Sequence, residues 1–99
     1  MIISTYPNKK SVIKMANRAV EKHLAACVNF TKISSVYTWQ KKIENAGEFL
    51  AIFKTTTRKK ELLKREIKKT HPYKIPEIME LKVISVNKPY HEWLVDSTN

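Results

Sequence analysis

Residues 25–56 read AACVNFTKISSVYTWQKKIENAGEFLAIFKTT, and the architecture follows from them. Residues 25–40 hold no Gly or Pro and are dense in Val, Ile, Thr, Tyr, Trp and Phe, side chains that suit a pleated surface. They predict one unusually long strand. The single Gly of the chain closes the Glu44-Asn45-Ala46-Gly47 run, which predicts a turn where positive φ is needed. Residues 48–56 return as a second strand, with Phe49, Ala51 and Phe53 on one face and Leu50, Ile52 and Lys54 on the other, so neither face is simply wet. Fifteen extended residues span about 50 Å at about 3.3 Å each, whereas a globule of this size has a diameter of about 33 Å. The hairpin should overrun its own globule and pair its overhang with another copy of the chain.

On the N-terminal side, residues 1–6 read as a strand stopped by Pro7, with Asn8 able to cap a helix. Val12, Ile13, Ala16, Ala19, Val20 and His23 then recur at helical spacing, and the helix is expected to end near Leu24. On the C-terminal side, Thr57 is the expected cap of a second helix, residues 58–69. Its apolar stripe is Leu62, Leu63 and Ile67, a Glu61–Arg65 pair supports it, and Lys68 and Lys69 meet its dipole. Residues 70–78, THPYKIPEI, cannot be helical, because Pro72 and Pro76 each fix φ and push the preceding residue toward extended backbone. This stiff connector carries His71, Tyr73 and Glu77. Residues 78–86 alternate Met79, Leu81 and Val83 with Glu80 and Lys82, as a strand with one buried face does. Pro89 opens a last helix, residues 90–95, with Tyr90, Trp93 and Leu94 expected to seal against the sheet. The order βαββαβ plus a C-terminal helix predicts an α+β, ferredoxin-like two-layer sandwich with a long central hairpin.

The 99 residues suit one domain, residues 1–99. A hydrophobic content of 42% excludes a disordered tail, no apolar run nears the roughly 20 residues of a membrane span, and the opening residues lack a basic leader. No membrane partner is expected. Cys27 is alone, which excludes an internal disulfide and suits a reducing compartment, so an intracellular protein is expected. One Gly against nineteen Lys plus Arg resembles a heat-adapted composition. The net charge of +10 permits polyanionic partners, but it is spread over several segments and broken by Glu61 and Glu66 in its densest run, as on a solubilising surface.

No Gly-rich phosphate loop, nucleophile elbow or spaced carboxylate pair is present, so no enzyme and no catalytic residue are expected. A Cys27–His71 thiolate pair would need the fold to bring the two together. Metal donors exist in Cys27, His71, His23 and Glu77, but none stands in a C-x-x-C or H-x-x-x-H pattern, so a metal site must be assembled in space or across subunits. Glu77, a carboxylate leading a strand, calls for a partner, and Lys54 is the natural one. Tyr37, Trp39 and Trp93 read first as packing residues.

Taken in order, Ala25-Ala26-Cys27-Val28-Asn29, Tyr37-Thr38-Trp39, Lys42-Ile43-Glu44, Glu48, Lys54-Thr55, His71-Pro72-Tyr73, Pro76-Glu77-Ile78, Tyr90 and Trp93-Leu94 resemble the CutA family of divalent-cation tolerance proteins over nearly the whole chain. The resemblance implies a cytoplasmic homotrimer built through the hairpin, similar in architecture to trimeric nitrogen-regulatory PII proteins. It further implies a role in tolerance of divalent metals, copper above all, with copper or another divalent ion as ligand. On this reading Cys27, His71 and Glu77 are metal donors, and Trp39, Lys54, Tyr73 and Tyr90 line a cleft between subunits. Two positions depart from the family pattern. Lys41 stands where Gly usually follows the Trp pair, and Lys74 where an acid usually follows His-Pro-Tyr. The competing class is a basic RNA-recognition-like module of the same strand order. Its aromatic sheet motif needs glycines, whereas Glu48-Phe49-Leu50-Ala51-Ile52-Phe53 opens with an acid and has none, so nucleic acid is not the expected partner.

Overall fold

The computed structural model describes residues 1–99. Its elements are β1 (Ile2–Tyr6), α1 (Lys9–Glu21), β2 (Cys27–Trp39), β3 (Lys42–Lys54), α2 (Lys60–Thr70), β4 (Met79–Glu80) and α3 (Lys88–Ser97). The sheet is antiparallel with spatial order β2-β3-β1-β4, the ferredoxin-like arrangement expected from the sequence. Ile2, Ser4 and Tyr6 of β1, and Ala51 and Phe53 of β3, are buried on one face with Val12, Met15 and Ala19 of α1 and Leu63 and Ile67 of α2. That face is the core of the protomer. Ser11 N–H donates to Asn8 Oδ1 at 2.8 Å, the expected N-cap of α1, and His23 at φ 59° ends that helix in the left-handed region.

The hairpin is longer and tighter than the Gly47 turn implied. Thirteen rungs join β2 to β3, from Cys27 opposite Lys54 to Trp39 opposite Lys42, and only Gln40 and Lys41 connect them. Both connecting residues have positive φ, 50° and 65°, as a two-residue type I′ hairpin requires. The turn expected at residues 44–47 is therefore strand: Gly47 sits mid-β3 opposite Ser34, with open space around it and no positive φ. The structure is 45 Å long and 25 by 21 Å across, so the hairpin does overrun the globule.

Other details differ from expectation. Thr57 is not a cap; Thr56 C=O instead accepts from the Lys59 and Lys60 N–H groups, and α2 starts two residues late. Glu61 pairs with Lys64 at 3.1 Å rather than with Arg65, and Lys64 and Lys60 both reach Glu80, tying α2 to β4. Those two lysines hold the Glu80 carboxyl down at about 2. In the last strand only Met79 and Glu80 find β1 partners, and Leu81 adds one rung against Met1. Beyond that rung β1 offers nothing to pair with, so residues 82–86 have no ladder within the chain. In α3, Leu94 is buried whereas Trp93 is exposed, so one residue of the expected seal closes it.

Lys41 holds a left-handed conformation that costs a residue with a Cβ about 1–2 kcal/mol and costs Gly nothing. Lys41→Gly is expected to raise the denaturant midpoint by about 0.5–1 kcal/mol of stability at unchanged m, after the greater unfolded-state entropy of Gly is set against the relief. A lower midpoint would contradict the assignment of strain to this residue.

Candidate functional site

The connector between α2 and β4 is held by its histidine. His71 takes up extended backbone (φ −68°, ψ 135°) at the end of α2, as its neighbour Pro72 dictates. Its ring stacks on Tyr6 at 4.3 Å between centroids and 20° between planes. Nε2 lies 2.8 Å from Thr5 C=O, and Tyr73 N–H donates to Nδ1 at 3.0 Å. The second bond requires Nδ1 to be unprotonated, so Nε2–H is the donor to Thr5 and the ring is neutral. Burial lowers the His71 pKa below its ordinary 6.5, against the opposing pull of the Thr5 carbonyl and Glu48. Both nitrogens are thus committed to fixing the connector against β1.

That placement brings Tyr73 over the sheet face opposite the helices. Its hydroxyl donates to Glu48 Oε2 at 2.7 Å, and burial, then the Glu48 bond and charge, push its phenol up from the ordinary value. Glu48 lies opposite Ile33 on β2 and is buried. Between the hairpin and residues 73–77 opens a cavity of about 690 Å³, bounded by Trp39, Tyr37, Ile33, Glu48, Tyr73 and Glu77 among others, with Lys74 also on its wall. The volume falls within the range of small-ligand sites.

The residues expected to share a site divide into two groups. Trp39, Tyr73 and Glu77 line the cavity. Lys54 and Tyr90 belong elsewhere: Lys54 Nζ sits 5.8 Å from the Tyr90 ring centroid, and Tyr90 packs on Trp93 at 5.4 Å. Glu77 therefore has no ion pair with Lys54. Cys27 is half-buried in the Lys54 rung, whereas His71 bonds Thr5 in the Leu50 rung. Four residues of strand, about 13 Å, separate those rungs. Neither a Cys27–His71 thiolate pair nor a Cys27, His71, Glu77 metal centre forms within one chain, and no three His, Cys, Asp or Glu side chains converge anywhere in it. Glu48 is the site residue that the sequence reading passed over. An acid heading an alternating run of large apolar residues was the available signal, since such a carboxylate has to be accommodated by a partner.

Comparison with known proteins bears on family and fold. The family model described as CutA1 divalent ion tolerance protein matches residues 1–97. The chain belongs to the CutA1 family. The divalent-cation tolerance protein CutA of Thermotoga maritima is 40% identical over 97 residues, covering 98% of this chain and 96% of the relative. The crystal structure of CutA1 from Pyrococcus horikoshii superimposes with a TM-score of 0.94 at 37% identity, covering 100% and 99% of the two chains. The periplasmic divalent cation tolerance protein CutA of Archaeoglobus fulgidus gives 0.96 at 35% identity over 99% and 96%. The CutA1 membership supports divalent-cation tolerance and gives no support to the RNA-recognition reading. The structure adds a reason: Phe53 and Phe49 pack against the helix-covered core and offer no open stacking platform. No helix is long and apolar enough to cross a membrane.

Because His71 folds with a depressed pKa, the unfolded chain takes up its proton first as pH falls. Stability contributed by this ring is present above pH 6.5 and is lost progressively below it. Urea unfolding between about pH 7 and pH 5 is expected to show this loss in the native protein and a shallower slope in His71→Gln, which keeps His23 and His91. Equal slopes would contradict the neutral-ring assignment.

Proposed function

We propose that the protein serves divalent-cation tolerance, copper foremost, as a cytoplasmic homotrimer that binds rather than transforms its ligand, in clefts bordered by Trp39, Tyr73 and Glu77. The observation that carries this reading is the apolar edge that begins at Leu81 and is unpaired within the chain over residues 82–86. Ile84 is 97% exposed, with Leu81, Val83 and Val86 open beside it, while on the other sheet edge β2 exposes Val36 and Trp39 and the far end of the hairpin exposes Ile43. Two different open edges, β2 and β4, suit a head-to-tail contact in which the edge of one copy adds to the other edge of the next. Such heterologous contacts form a ring when the rotation between copies closes, and the family resemblance supplies closure at three.

The compartment rests on lone Cys27 and the absence of any need for a disulfide. Direct metal binding by Cys27, His71 and Glu77 requires donors from more than one copy, since one chain gathers no three. Glu77 faces the cleft, whereas His71 would have to surrender the bonds that hold the connector.

Light scattering of the purified protein is expected to give three times the 11.6 kDa chain mass, and Ile84→Pro, which removes an edge donor, is expected to dissociate it. A folded monomer at micromolar concentration would contradict the assembly. Calorimetric titration with Cu(II) is expected to show saturable heats that shrink in Glu77→Ala; heats no larger than those of a His-free control protein would remove direct metal binding and leave the trimer.

A further inference from the structure

The cavity holds an acid that makes no ion pair within its own chain. Glu48 is 8% exposed, and its hydrogen-bond partner is the neutral Tyr73 hydroxyl. The ion pairs of the chain engage Glu61, Glu66 and Glu80 and leave Glu48 out. A carboxylate removed from water needs a cation or several donors, and one phenol occupies only one of about four lone-pair positions. The acid nevertheless stays buried, in a chain of net charge +10, at the base of an open cavity.

The cavity walls indicate what kind of cation completes it. Tyr37 and Trp39 from β2 and Tyr73 from the connector present aromatic side chains, and Ile33 and Leu50 supply apolar surface. Aromatic faces around a carboxylate are the chemistry that recognises organic ammonium and guanidinium groups. A bare divalent ion is served less well, because the lining offers two carboxylates, Glu48 and Glu77, and no His or Cys. Lys74 on the same wall sets the charge of the ligand: it repels a second positive group and so favours a monocation with an apolar body over a polyamine.

We propose that this cavity is a binding site for a small organic monocation, its ammonium or guanidinium group against Glu48 and its apolar body against Trp39 and Tyr37. The proposal deepens the cleft reading above and rests on that cleft remaining open when copies assemble.

Three compounds of one shape test it by calorimetry on the intact protein: 2-phenylethylamine as the cation, 2-phenylethanol as the neutral form and 3-phenylpropionate as the anion. The amine is expected to bind saturably and at least about tenfold more tightly than the alcohol, with no binding of the anion and a loss of at least about tenfold in Glu48→Gln. Equal affinity for amine and alcohol, preference for the anion, or full retention in Glu48→Gln would overturn the proposal. So would Glu48-dependent binding of Zn(II) alone with no response to the amine. If Glu48→Gln fails to fold, the comparison of amine with alcohol on the unsubstituted protein decides. Light scattering on the same samples separates the two readings. A trimer that ignores all three compounds overturns the cation site and leaves the assembly standing. A monomer that binds the amine through Glu48 supports the cation site and sinks the assembly.

Discussion

Backbone amides and carbonyls at the edges of a sheet need partners as much as those in its middle, and here two long edges lack them inside the chain. β2 runs thirteen residues along the outside of the sheet, and beyond Leu81 the last strand has outrun β1. Water can satisfy such groups at an exposed edge, but it cannot make exposure of Val36, Ile43 and Ile84 favourable. A sheet with this much apolar surface at its margins is a surface for pairing. In the proposed assembly the 45 Å reach of the hairpin serves to pair copies, and the compact core beneath α1 and α2 anchors it.

Local chemistry determines how the site hangs on that frame. Pro72 ends α2 and turns His71 into extended backbone, and the neutral ring clamps Thr5 on one side and the Tyr73 amide on the other. The stack on Tyr6 adds about 0.5–1.5 kcal/mol, and each hydrogen bond about 1 kcal/mol. Tyr73 is thereby held over Glu48, and the cavity forms between a rigid connector and a rigid hairpin. The histidine that the family resemblance marked as a metal donor acts in this structure as the fastening of the connector.

Much of the fold was legible because its signals are periodic. The helical spacing of Val12, Ala16 and Ala19, the alternation of Phe49, Ala51 and Phe53, and the stop at Pro72 each report a local physical requirement. The hairpin turn was misplaced because the rule linking positive φ to Gly pointed to Gly47, whereas Gln40 and Lys41 accept that conformation in exchange for thirteen rungs of pairing. The absent Gly at position 41, already visible as a departure from the family pattern, was the better clue. Residues 78–86 alternate as a strand should, but alternation cannot say whether a partner lies in the same chain. The candidate site was half legible for a related reason. Tyr73, Trp39 and Glu77 converge, while Lys54 and Cys27 lie about 13 Å along the strands from the rung that His71 bonds, a distance fixed by register that no single segment records.

Hydrogen–deuterium exchange, read at the amides of residues 82–86 under native conditions, tests the pairing of these edges most directly. Slow exchange, comparable to that of β1 and speeding up as the protein is diluted toward dissociation, is expected if the edge of another copy holds them. Exchange at the rate of a free peptide, in protein whose β1 and β3 amides stay protected, would mean that the edge stands open to water and that the sheet ends where the single chain ends it.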